Sequence, residues 1–143
     1  MKEDFSGSTS ITMLIKKNKI YIANLGDSRC VACTSEGKTE PWSEDHKPSE
    51  ALETARIEAA GGDVEMDRVN GKLAVSRAFG DFHYKADMNL TDDKQLIIAT
   101  PDVQVKDLDA KTKFAILACD GIWEVLSNEE VIDFILEKLS EGK

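Results

Sequence analysis

Asp120 is the residue whose setting speaks most directly of chemistry: it ends the apolar run 113–119 and is followed by Gly121. A carboxylate placed there sits at the rim of a sheet, where it suits a metal ion, and the glycine leaves room for the ion and its waters. Glu124 follows about one helical turn later, on the same side. The competing reading of Asp120 is a helix N-cap. Asp27, in Gly26-Asp27-Ser28-Arg29, closes the other apolar strand and reaches the same rim, or else it is a turn residue, since turns select Gly and Asp for backbone reasons. Asp81, in Gly80-Asp81, divides the same way. Candidates that offer only oxygen, together with 2 histidines in 143 residues, favour magnesium or manganese over zinc.

Other reactive residue types read as structural. Cys30 and Cys33 spell C-x-x-C, yet three residues apart on a strand they face opposite sides of a sheet, and no second Cys or His pair follows. Cys119 reads as a small buried apolar residue. His46, in Asp45-His46-Lys47-Pro48, has no Ser or Cys partner at a suggestive spacing and reads as a hydrogen-bonded loop histidine. Arg77 suits either bidentate binding of phosphate or an internal ion pair. Trp42 and Trp123 read as packing residues.

The elements that position these residues follow from periodicity. Ile11, Met13 and Ile15 alternate, 20–25 is apolar on both faces, and 30–33 forms a third strand. The links at 16–19 and at Gly26-Asp27 are both short enough to predict hairpins between antiparallel neighbours. A helix is predicted over 49–60, with Ala51, Leu52, Ala55 and Ala59 as its buried stripe and Gly61-Gly62 as its stop. Residues 85–95, rich in Asp, Asn and Lys, predict an exposed excursion. Ser127-Asn128-Glu129-Glu130 is a capping box opening a last helix whose stripe is Val131, Ile132, Ile135, Leu136 and Leu139. Strands and helices do not alternate regularly, so an α+β fold in one domain over 1–143 is expected.

Composition narrows the function classes. A formal charge of −9 and a pI near 4.7 argue against nucleic acid and anionic membranes as partners. Three cysteines without framework spacing, and no secretory leader, predict reduced thiols and an intracellular, cytoplasmic or nuclear location. No apolar run approaches the roughly 20 residues of a membrane-spanning helix.

The order of the motifs is more specific than any one of them: Ser6-Gly7-Ser8-Thr9, Gly26-Asp27-Ser28-Arg29, Asp45-His46-Lys47-Pro48, Glu58-Ala59-Ala60-Gly61-Gly62, the block from Asn70-Gly71 through Ser76-Arg77-Ala78-Phe79-Gly80-Asp81, Pro101-Asp102-Val103, and Cys119-Asp120-Gly121-Ile122-Trp123-Glu124. This series resembles the protein phosphatase 2C family over nearly the whole chain. The resemblance implies part of an α-β-β-α sandwich, mainly antiparallel, and metal-dependent hydrolysis of phosphoserine and phosphothreonine in phosphoprotein substrates by a water bridging two Mg or Mn ions. It implies Asp120 as a core metal ligand, Asp27 and Glu124 at a third, weaker metal site, Thr9 and Gly121 near the metals, residues 85–95 as a flap beside the substrate cleft, and Arg77 on the substrate or flap side. Glu124 stands where the family has Asp. The family's Asp-Gly-His-Gly block does not precede Ser6 and its Asp-Asn block does not follow Lys143. The expectation is therefore a truncated catalytic domain that retains no catalytic residue with assurance, binds metal weakly or partially, is inactive alone, and covers its exposed sheet edges by forming a homodimer or exchanging an element. The alternative is a non-catalytic, phosphatase-like binding or regulatory module.

Overall fold

A computed structural model describes residues 5–142. In chain order the strands are β1 (Gly7–Ser8), β2 (Ser10–Lys16), β3 (Lys19–Leu25), β4 (Arg29–Thr34), β5 (Thr39–Pro41), β6 (Val64–Glu65), β7 (Arg68–Val69), β8 (Phe79–Gly80), β9 (Asp102–Asp107) and β10 (Thr112–Ala118). The helices are α1 (Ala51–Ala59), α2 (Asp120–Trp123) and α3 (Asn128–Ser140), with 3-10 turns at Phe82–Lys85 and Asp92–Lys94. The fold is α+β with mainly antiparallel sheets, and the chain forms two compact units from interleaved segments: 5–10, 25–27 and 45–102 in the first, 11–24, 28–44 and 103–142 in the second.

The second unit carries two three-stranded sheets, ordered β2-β3-β9 and β10-β4-β5. Strand β4 pairs antiparallel with β10 on one side and β5 on the other. Its central residues Cys30, Val31, Ala32 and Cys33 are all buried. Period-two alternation splits them: Cys30 and Ala32 pack with Ile20, Ile22 and Trp42, while Val31 and Cys33 pack with Trp123, Val131 and Ile132. The two cysteines thus face opposite cores, as their spacing predicts, and burial pushes the Cys30 thiol up to about 11. The capping box forms as read: Ser127 N–H donates to Glu130 Oε2 at 2.7 Å and Glu130 N–H to Ser127 Oγ at 3.2 Å.

Four sequence expectations need correction. Gly26-Asp27 is no hairpin: β3 and β4 belong to different sheets, because Ile20 and Ile22 meet Cys30 and Ala32 face to face across a core instead of edge to edge. The strand covered on both faces is β4; in β3, Tyr21 is exposed. Cys119 is exposed, since it lies beyond the end of β10 and serves as the N-cap position of α2. In α3 the buried stripe narrows to Val131 and Ile132, with Leu139 half exposed.

The first unit is built around α1, and here the predicted stripe is also wrong. Leu52 is 83% exposed, and the buried residues are Glu53 and Ile57. Ile57 joins Val69, Ala78 and Ile97 in a core flanked by Leu73, Val75 and Tyr84. The unit's strands are two residues long, and β1 pairs with β8 by setting Gly7 opposite Gly80. Gly80 has φ +68, and a Cβ there would overlap the Ser6 carbonyl oxygen. Gly61, after α1, has φ +80 but open space around it. An alanine at Gly61 should therefore cost only the left-handed strain, about 1–2 kcal/mol. Gly80→Ala adds the steric overlap and should cost at least about 1 kcal/mol more than Gly61→Ala in urea denaturation; equal losses would show that the β1–β8 approach contributes nothing.

Candidate functional site

The residues singled out for metal binding fall into both units. Asp120, Gly121 and Glu124 lie on the short helix α2 or at its end, in the second. Asp120 occupies the first helical position, not the N-cap, and its Oδ1 accepts the Gly121 N–H at 2.8 Å. Glu124, exposed, donates its N–H to the Asp120 carbonyl at 2.8 Å. Thr9, Asp27 and Arg77 lie in the first unit. Thr9 abuts the Gly26–Asp27 turn: Gly26 has φ +98, and a Cβ there would overlap the Thr9 side chain. The Asp27 carboxylate, nearly buried, takes a hydrogen bond from Lys47 Nζ at 3.1 Å. Burial would lower the Lys47 ammonium, but its bond to Asp27 and the charges of Asp27, Asp45 and Asp67 together outweigh this and raise it.

Whether these residues fit a two-ion centre can be judged from their donor chemistry. Such a centre needs several carboxylates converging on each ion. Among the described residues no group of three or more His, Cys, Asp or Glu side chains converges to hold a metal. Asp27 already faces an ammonium, and one oxygen of Asp120 already faces an amide. The described residues therefore do not fit a two-metal centre.

What the structure does bring together was missed in the sequence. Glu53, on α1, is buried and takes bonds from three directions: Arg77 Nη2 donates to Oε1 at 2.6 Å, Arg56 Nη1 to Oε2 at 2.6 Å, and Ser76 Oγ to Oε2 at 2.6 Å. Arg77 extends the network, with Nη1 donating to Asp102 Oδ1 at 2.9 Å and to the Thr100 carbonyl at 3.0 Å. His46 Nδ1 accepts the Gly26 N–H at 3.0 Å, which leaves the ring proton on Nε2, and Nε2 faces Asp102 Oδ2 at 3.2 Å. Arg77, open in the sequence between phosphate and an internal partner, spends its guanidinium on protein groups. Burial alone would raise the Glu53 carboxyl, but the bonds from Arg77, Ser76 and Arg56 outweigh it and bring it from 4.5 to about 2. Burial likewise works against the Asp102 carboxylate, and His46 and Arg77 together still lower its pKa. The legible signal for Glu53 was its spacing: Glu53, Arg56 and Ile57 share one helical face, so a buried Ile57 carries the charged pair inward with it.

Comparison with known proteins places these features in a wider setting. The family description "Protein phosphatase 2C" matches residues 1–143. The chain is 49% identical over 142 residues to a probable protein phosphatase 2C of Caenorhabditis elegans, covering 99% of this chain and 40% of that protein. It is 51% identical over 136 residues to protein phosphatase 2C homolog 2 of Schizosaccharomyces pombe, covering 94% and 36%. With protein phosphatase 1G of Homo sapiens it shares 49% over 137 residues, covering 95% and 25%. It spans 40% or less of the length of these curated relatives. Among solved structures, a phosphatase from Toxoplasma gondii superposes with a TM-score of 0.81 at 38% identity, over 87% of this chain and 39% of that one. A serine-threonine phosphatase 2C from the same organism gives 0.78 at 28%, over 94% and 48%.

The depressed Glu53 carboxyl makes stability pH-dependent. A group whose folded pKa lies below its unfolded one contributes stability that is present above pH 4.5 and is lost as the pH falls through about 2. The loss should be roughly 3 kcal/mol over that window. Carbon NMR of the Glu53 carboxyl should show it titrating far below 4.5. Glu53→Gln, which strands Arg56 and leaves Arg77 only Asp102, should lose about 3–5 kcal/mol at pH 7 and flatten the acid limb; an acid limb parallel to the wild type would remove Glu53 as its source.

Proposed function

Because this chain belongs to the protein phosphatase 2C family, we propose that it is a portion of the catalytic domain of a protein serine/threonine phosphatase that removes phosphate from phosphoserine and phosphothreonine in protein substrates. The observation that carries this reading is the family match along all 143 residues, with the motif blocks in family order. Magnesium or manganese is the cofactor the family implies, supplying a bound water as nucleophile. The described residues do not assemble the ligand set for such ions, so the 143-residue chain by itself is inactive, with Asp120, Asp27 and Glu124 as its share of the ligands. That same shortfall favours one second reading, a non-catalytic phosphatase-like module that binds a phosphoprotein or regulates a relative.

Hydrolysis of a phosphothreonine peptide in millimolar Mn separates the two. The chain alone should release no phosphate above the buffer rate. The same chain joined to a relative's flanking acidic blocks should turn over, and Asp120→Asn in that longer protein should reduce the rate more than about 100-fold, since even outer-shell partners of metal ligands are worth 10–100-fold. Phosphate release by the short chain would overturn its assignment as inactive; silence of the longer protein would favour the binding module.

A further inference from the structure

Asp81 is a buried carboxylate that the Glu53 network leaves out. It is 9% exposed, and among the described residues its carboxylate makes neither a hydrogen bond nor an ion pair. Its main chain is fixed: φ is +49, its N–H donates to the Ser6 carbonyl at 2.9 Å, and its own carbonyl accepts the Tyr84 N–H at 3.0 Å. Its side chain takes the space that a Cβ at Gly7 would need. Burial pushes the carboxyl upward, and the charge of Lys85 opposes that only in part. Lys85 is committed elsewhere, its Nζ donating to the Ala78 carbonyl at 2.6 Å.

The carboxylate lines two hollows, of about 340 and about 300 Å3, that share Phe5 and Leu73 with it. His83 and Tyr84 add to the wall of the larger one. The three rings stand edge to face, Phe5 to His83 at 6.1 Å and His83 to Tyr84 at 5.5 Å between centroids. An apolar, aromatic wall around an unpaired buried negative charge is chemistry that selects a cation with a flat, weakly hydrated face.

We propose that the larger hollow binds the guanidinium of an arginine side chain presented by a peptide, with Asp81 taking the charge, Phe5 and Tyr84 the planar face, and Leu73 the aliphatic stem. A guanidinium meets a carboxylate bidentately and stacks on rings, which an ammonium does not. Capturing it relieves the cost of a buried charge without a partner. The net charge of −9 draws cations toward the molecule as a whole. None of this depends on phosphate hydrolysis.

The test is an NMR titration of the 143-residue chain with N-acetyl-arginine amide, and with the neutral isostere N-acetyl-citrulline amide, in wild type and Asp81→Asn. Asparagine tolerates the left-handed backbone at this position, so the variant keeps its fold. Arginine amide should produce saturable shifts at Phe5, Leu73, Asp81 and Tyr84, with citrulline and the variant each weaker by about tenfold or more, the loss of a charge-assisted pair. Without any ligand, Asp81→Asn should raise the thermal midpoint, because it removes a buried charge that Lys85 compensates only in part. Equal binding of citrulline, equal binding by the variant, or no saturation overturns the site; a lower midpoint in the variant overturns its premise that Asp81 lacks a partner.

Discussion

A carboxylate removed from water has to be met by groups that replace its hydration, and Glu53 imposes that demand on the first unit. The unit's strands are two residues long, so backbone ladders do little to hold its segments together. The side chains around Glu53 do it instead. Arg56 binds Glu53 and reaches the Ser76 carbonyl at 2.7 Å and the Gln95 carbonyl at 3.3 Å. Arg77 ties the same carboxylate to Thr100 and Asp102. Helix α1, the segment at 76–77 and the segment 95–102 are thereby fixed to one another by a pair of guanidinium groups whose geometry is rigid and planar. Remove the carboxylate and Arg56 loses its anion, while Arg77 keeps only the more exposed Asp102.

This arrangement also bears on the acidic residues that the motif series marks for metal. Asp27 is paired with Lys47. A divalent ion approaching that carboxylate competes with an ammonium whose proton the pairing holds more tightly. Such a site binds cations only when further carboxylates add enough charge to displace the lysine.

Much of the fold was legible because it rests on local signals. The capping box at Ser127 satisfies its own helix end, and the alternation from Cys30 to Cys33 is a backbone period that tertiary structure did not override. What failed were inferences that needed a partner. The Gly26-Asp27 link is short enough for a hairpin, and sequence cannot tell an edge-to-edge neighbour from a face-to-face one when both strands are apolar. The α1 stripe was read from Leu and Ala, whereas burial followed Ile57 and brought Glu53 in with it, since two arginines, one of them 24 residues away in sequence, made that burial affordable in charge. Of the site, the motif series conveyed family membership, but the pairing of Arg77 with an internal glutamate depends on three-dimensional proximity that spacing does not encode.

Strand β4 has one consequence for motion. It is the centre of its sheet, its amides bonded toward β10 and β5, and its side chains are shared between two separate cores. An opening fluctuation that exposes β4 must break both ladders and empty both cores at once, whereas β5, three residues at the sheet's edge, can fray alone. The second unit therefore has no inexpensive way to come apart in halves: amide protons along β4 exchange with solvent only when the whole unit unfolds, and that strand reports its global stability.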